Sequence, residues 1–341
     1  MAAFVIVVAG MKAAAPLVVP FLLAVFLAII CAPPVFWLQK RGLPEFVGML
    51  LMISVILGVW LSLVTLIGSS MTDFSSNVPK YQQNLLEQTA GWWQWLDKQG
   101  ITLDRSILTD TFNPGKLLKM AANTLNGLGG MLTNTFVIFL TFFFILSEAA
   151  GFPCKLRAIQ GEQSLALVKY SEIAQGVNRY LGIKTLTSLV TGVTVALGLS
   201  LQGLDYAIMW GVVAFFFNFI PNIGSIIAAI PAVLLSLVQL GWGAAILTGG
   251  IYFVVNIVIG SIIEPRVMGK GVGLSVLVVF LSLAFWGWVL GPVGMLLSVP
   301  LTMAVRIALE GTENTRWLAI LLASNREINR RKKNEAEEEK E

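Results

Sequence analysis

Two long stretches of this chain carry no charged side chain. The first runs for 58 residues, 206–263, and the second for 35 residues, 271–305. Soluble domains place charge on every exposed helix face, so a stretch of 58 uncharged residues excludes an ordinary soluble surface. About 20 apolar residues span the roughly 30 Å hydrocarbon layer as a helix. The constraint extends to the whole chain. Its 341 residues include only 12% charged side chains, and the mean hydropathy is +0.80. The fold class expected is an all-α polytopic membrane protein with about eight hydrophobic segments.

Both charge-free stretches are interrupted. In the first, Asn218, Pro221, Asn222, Gly224 and Ser225 break the apolar run, and Pro231 follows. In the second, the break is Gly291-Pro292-Val-Gly294, with Ser298 and Pro300 beyond it. Proline removes a helix hydrogen bond and glycine weakens what remains. Backbone groups freed in lipid need partners, so such breaks survive where protein or water surrounds them. The unit of one span plus one broken hairpin occurs twice, as 186–240 and as 242–309, in opposite orientations. That order predicts an inverted repeat with two Pro/Gly-broken helical hairpins. Either the hairpins are re-entrant, with tips approaching the midplane from opposite faces, or they span fully with turns that use Pro and Gly. Broken segments in corresponding positions point to a transporter binding site.

The polar groups near the breaks are amides and hydroxyls, with Asn256 and Ser298 on neighbouring segments. Such groups hydrogen-bond without the penalty of a buried ion, which suits a small, polar, uncharged solute. Each one singly also fits helix–helix glue. Glu264-Pro265-Arg266 lies at the inner end of a span. It reads either as a gating or ion-coupling element or as a helix-ending ion pair.

Several functions are excluded. The chain has no histidine and two cysteines, Cys31 and Cys154, outside any C-x-x-C pattern. Histidine triads, Cys–His pairs and histidine-ligated metals are therefore absent. No enzyme, cofactor or metal site is expected. Gly269-Lys-Gly-Val-Gly273 lacks the spacing of a phosphate loop, so ATP is not expected as a partner. The net charge of +4 is scattered rather than gathered in a basic stripe, which excludes nucleic acid.

The remaining organisation follows from hydropathy. Residues 1–71 are membrane helices, 72–122 an extramembrane, periplasmic helical segment, and 123–147 a further span. Residues 148–184 are cytoplasmic linker helices, 185–310 the transport core, and 311–341 a charged cytoplasmic tail. Trp92, Trp93 and Trp95 suit either a lipid-surface anchor or a small packed cap. Met1 to Met11 has no basic n-region, so no cleavable signal is expected. The first helix, ending near Lys12–Ala15, is short: either a half-span or one whose true start lies upstream. With Lys40 and Arg41 inside, every K/R-biased loop falls on one side and the charge-balanced 72–119 loop on the other.

The second half resembles a known family. Phe217-Asn-Phe-Ile-Pro-Asn-Ile-Gly-Ser225, Ile263-Glu-Pro-Arg-Val-Met-Gly-Lys-Gly271, Phe285-Trp-Gly-Trp-Val-Leu-Gly-Pro-Val-Gly294 and Leu296-Leu-Ser-Val-Pro-Leu-Thr302 are similar to motifs of the autoinducer-2 exporter family of bacterial permeases. The resemblance implies a multi-pass transporter of the bacterial inner membrane with its C-terminus cytoplasmic. It implies export of the quorum-sensing signal autoinducer-2 or, as the alternative, sodium(lithium)/proton antiport. It also implies a homo-oligomer, with a pentamer suggested, and membrane lipid as the surrounding partner. By matched motif it places Pro221, Asn222, Gly224, Glu264, Pro265, Arg266, Pro292 and Gly294 at or near the pathway. Family members carry a fuller first span than residues 1–15 provide.

Overall fold

The computed structural model describes residues 2–98, 135–149, 165–221, 223–268, 273–310 and 313–324. Side chains are described for most of these; those of 85–98, with the tryptophan group, and of 165–174 lie outside the described set. Helix α1 covers Ala2–Ala13, and α2 covers Ala15–Lys40. Pro16 sits in the first turn of α2, where its missing N–H removes no helix bond. Helix α3 runs unbroken over Glu45–Lys98. The helix does not stop where hydropathy falls at residue 72: its apolar part is Phe46–Phe74, and the polar turns continue the same rod.

Helix α4 covers Thr135–Ala149. It joins α2 and α3 in one core, where Ala24, Ala28, Cys31 and Val35 on α2 meet Met49, Ile138, Phe142 and Leu146. The α2 residues recur at helical spacing, and small ones lead, so the rings and branches of α4 approach its backbone closely.

Helix α5 covers Leu165–Gln202 as one continuous element, with Gln175–Gln202 long and apolar enough to cross a membrane. Lys184 therefore lies within this stretch, not at the end of a separate linker. Helix α6 is Ala207–Phe217 and α7 is Gly224–Leu240. Tyr206, at φ 58°, turns the chain from α5 into α6. Where α5 crosses α6, a Cβ on Gly211 would lie 2.6 Å from both Ala196 Cβ and the Gly192 carbonyl. Only a residue without a side chain fits there.

Helix α8 is Trp242–Val255. It widens into a π-helix over Asn256–Ile263 and resumes as α9, Glu264–Met268. Helix α10, Val276–Glu310, is broken at Gly291, whose φ of 68° and ψ of −152° lie outside any helical region. Trp286 Nε1 donates to Thr302 Oγ1 at 3.0 Å. Sixteen residues of straight helix would separate the two by about 24 Å. The chain thus doubles back at Gly291-Pro292, and α10 is a hairpin of two arms. By length and composition five described helical stretches suffice to cross a membrane, α10 among them; the fold at Gly291 divides that one.

The element order after Gln175 is span, hairpin, span, hairpin. The two turns share one geometry. A Cβ on Gly224 would collide with the Phe217 carbonyl oxygen, and a Cβ on Gly294 with the Trp286 carbonyl oxygen. In each case the residue four earlier, Ile220 or Leu290, presses from the same side. Each glycine lets the second arm start directly against the end of the first.

The C-terminal, polar part of α3 packs against the α5–α6 turn. Phe74 and Tyr81 are buried with Leu204 and Trp210. Tyr81 donates its hydroxyl to Asp205 at 3.1 Å. Burial, then hydrogen bonding to Tyr206 and Asp205, raises the Tyr81 phenol pKa above its ordinary value. At the other end, short helix α11, Arg316–Leu322, is tied back to the start of α10. Ser275 N donates to the Leu322 carbonyl at 3.2 Å, and Ser324 N to the Gly273 carbonyl at 2.9 Å.

Candidate functional site

A cavity of about 210 Å³ opens among α5, the first hairpin, the α8 π-segment and α10. One wall is α5, where Tyr180 and Lys184 line the cavity at spacing four and the buried Ser188 follows one turn on along the same side of the helix. Lys184 Nζ donates to both carboxylate oxygens of Glu264, at 2.7 and 2.9 Å. The two side chains are 6% and 15% exposed, so neither charge is solvated on its own. Mutual neutralisation is what allows both to remain at this depth.

The opposite wall comes from the first break. Asn218 and Pro221 line the cavity with Ser225. Asn218 is buried, and its Nδ2 donates to Ser188 Oγ at 3.0 Å. Ser225 Oγ donates to Asn256 Oδ1 at 2.8 Å. Asn256 begins the π-helix, and Gly260 one turn later leaves room for its amide: a Cβ there would lie 3.1 Å from Asn256 Oδ1. Ser261 lines the same wall, whereas Val279 and Val299, from the two arms of α10, close the cavity with apolar surface. The result is a small chamber of neutral donors and acceptors with one internally paired ion pair.

The residues singled out from the sequence divide accordingly. Asn218, Pro221, Ser225, Asn256 and Glu264 converge on the cavity. Gly224 is buried behind it, holding the turn. Asn222 lies outside the described residues. Pro265 and Arg266 are exposed, and Glu264 is bonded to Lys184 rather than to Arg266. Gly291, Pro292 and Gly294 stand apart from the cavity. Their flanking residues Val289 and Leu290 pack with Val8 of α1, alongside Met11, Ala15 and Val18. Lys12 Nζ sits 4.0 Å from the Trp288 ring centroid at the same place. Ser298 is buried and donates to the Met295 carbonyl of its own helix at 2.8 Å.

Sequence reasoning missed Lys184, Tyr180, Ser188 and Gly260. The available signal was the four-residue spacing of 180, 184 and 188. It was masked because a lysine beside a polar segment reads as the end of a linker.

Comparison with known proteins decides the family. The description "AI-2E family transporter" matches residues 1–314 of this chain. The chain belongs to the AI-2E transporter family. A "Putative transport protein" of Haemophilus influenzae is 41% identical, covering 94% of each chain. The "Putative transport protein YhhT" of Escherichia coli K12 is 38% identical, over 96% of this chain and 93% of that one. "AI-2 transport protein TqsA" of the same organism is 36% identical, over 94% and 93%. With its apolar helices, the family membership makes this a multi-pass membrane transport protein of bacterial type. The exposed leucine, valine and phenylalanine side chains of α2, α3 and α5 form the apolar outer surface that such a protein needs.

Proposed function

We propose that this chain is a secondary transporter that exports a small, polar, uncharged signalling molecule, autoinducer-2, across the bacterial inner membrane. The observation that carries the proposal is the chamber at Asn218, Ser225 and Asn256. Its groups hydrogen-bond to hydroxyls, and among the described residues its only charges, Lys184 and Glu264, cancel each other. At about 210 Å³ it is smaller than the roughly 300 Å³ and upward of drug-sized ligand sites, which suits a compact solute. The 36% identity to a protein named for AI-2 transport supports the same substrate. In this reading the cavity faces the cytoplasm, the C-terminus is cytoplasmic, and access alternates as the hairpins move. The translocation residues are Asn218, Pro221, Asn222, Gly224 and Ser225 from the first repeat and Asn256 from the second, with Gly291, Pro292, Gly294 and Ser298 shaping the second hairpin. Pro265 and Arg266 flank the Lys184–Glu264 gate. The working unit is a homo-oligomer, with a pentamer suggested by the family resemblance.

One observation favours a second reading. Glu264 is a carboxylate inside the cavity, the group that sodium(lithium)/proton exchange requires. In everted membrane vesicles, export appears as inward movement of autoinducer-2, faster with this protein than without it and slowed in Asn218→Ala. Rates equal to those of empty vesicles, together with sodium-driven proton release that Glu264→Gln abolishes, would replace export with exchange.

A further inference from the structure

The chamber ends on a hydrogen bond, and a second void lies behind it. Ser225 and Asn256, joined at 2.8 Å, line both spaces. The second void measures about 10 Å³, room for one water-sized group. Its polar lining beyond those two residues is Thr191 and Tyr252. Tyr252 is 5% exposed, and its hydroxyl has no hydrogen-bond partner. A buried hydroxyl left unbonded is costly, and such groups in folded proteins call for an explanation.

The positions of these residues supply one. Thr191 lies seven residues beyond Lys184 on the same face of α5. Tyr252 lies four residues before Asn256 on the same face of α8. Further along these faces, polar groups are fully engaged. Gln202 donates to Ser236 at 3.2 Å and to the Ala244 carbonyl at 2.7 Å, and accepts from Thr248 at 2.9 Å. Between that saturated knot and the chamber, the Tyr252 hydroxyl is spare.

We propose that the void at Thr191 and Tyr252 is a second binding station that takes one hydroxyl group of a small neutral solute seated in the chamber, with the Ser225–Asn256 hydrogen bond as the internal gate. One neutral hydrogen bond is weak enough for a competing solute hydroxyl to exchange with it. Once it opens, Ser225 and Asn256 turn their groups toward the solute, and Tyr252 gains its missing partner. Among the described residues no acid, lysine or arginine lines this void, so a charged solute meets an uncompensated desolvation cost there. The station rests on the export reading and extends its route.

Two measurements test it on the full chain in membrane vesicles. In a Cys31→Ser, Cys154→Ser background, Thr191→Cys is treated with 2-hydroxyethyl methanethiosulfonate, a small neutral hydroxyl-bearing thiol reagent. Val193→Cys, half exposed on the opposite, apolar face of α5, is the control. Modification of Thr191→Cys but not of Val193→Cys is expected, and a Thr191→Cys that stays unmodified overturns the station. In the second measurement, Tyr252→Phe lowers the autoinducer-2 transport rate by about threefold to tenfold, the range of one neutral hydrogen bond, while its melting temperature is unchanged or higher. A rate equal to wild type overturns the station, because the hydroxyl is then idle. A wild-type protein that moves no autoinducer-2 sinks the export reading alone, and the labelling result then decides the station by itself.

Discussion

Lys184 on α5 and Glu264 at the start of α9 are 80 residues apart in sequence and meet nitrogen to oxygen at 2.7 Å. This pair joins two elements of the span–hairpin repeat at the cavity wall. Its cost and its use both come from burial. Two desolvated charges are tolerable together and expensive apart.

Removing one partner should therefore destabilise the protein more than removing both. Lys184→Met and Glu264→Gln are each expected to cost about 3–5 kcal/mol, and the double variant to recover much of that. Thermal unfolding in detergent checks this. Single variants that melt with the wild type would show that the charges are solvated.

The hairpin in α10 makes a coupling prediction. Trp286→Phe and Thr302→Val each break the 3.0 Å hydrogen bond between the arms. A double-mutant cycle should return a coupling of about 0.5–1.5 kcal/mol. Zero coupling would mean a straight helix, with the two residues about 24 Å apart.

Glycine is required at two positions of the second turn for different reasons. Gly294→Ala drives a methyl into the Trp286 carbonyl and should lose about 1–3 kcal/mol through overpacking. Gly291→Ala meets nothing within 4 Å, yet its backbone occupies a region nearly exclusive to glycine, costing about 1–3 kcal/mol through strain. A compensating Trp286→Ala should not rescue the first, since the obstacle is backbone. Yield of folded protein and melting temperature separate these outcomes from a tolerant loop.

Arg306 anchors the end of the chain. It is buried, donating to the Gly273 carbonyl at 2.7 Å and pairing with Glu310 at 3.2 Å. Arg306→Ala should release the pairing of Ser275 with Leu322 and of Ser324 with Gly273. Hydrogen exchange at the Ser275 and Ser324 amides is expected to rise at least several-fold relative to amides in α5. Unchanged protection would show that α11 docks by its apolar contacts alone.

Much of the candidate site was legible. Asn218, Pro221, Ser225, Asn256 and Glu264 stand out because polar or helix-breaking groups in a charge-free apolar run need a reason. Lys184 did not stand out, since its reason is Glu264, 80 residues on. Tyr252 did not either, because an apolar-flanked tyrosine reads as packing until its hydroxyl is seen to lack a partner.

The sequence by itself determined the membrane, the number and rough limits of the apolar segments, and the places where helices must break. Those follow from local rules: hydropathy against bilayer thickness, and the backbone limits of proline and glycine. Tertiary structure decided which breaks share a cavity. It placed Asn218 and Asn256 around Lys184 and Glu264, and sent the Gly291–Gly294 turn to pack with α1 instead. That choice depends on which helix faces meet, and close approach at small residues such as Gly192 and Gly211 sets it through contacts distant in sequence. The shortage of charge marked the region of the candidate cavity; tertiary structure added the Lys184–Glu264 pair at its border.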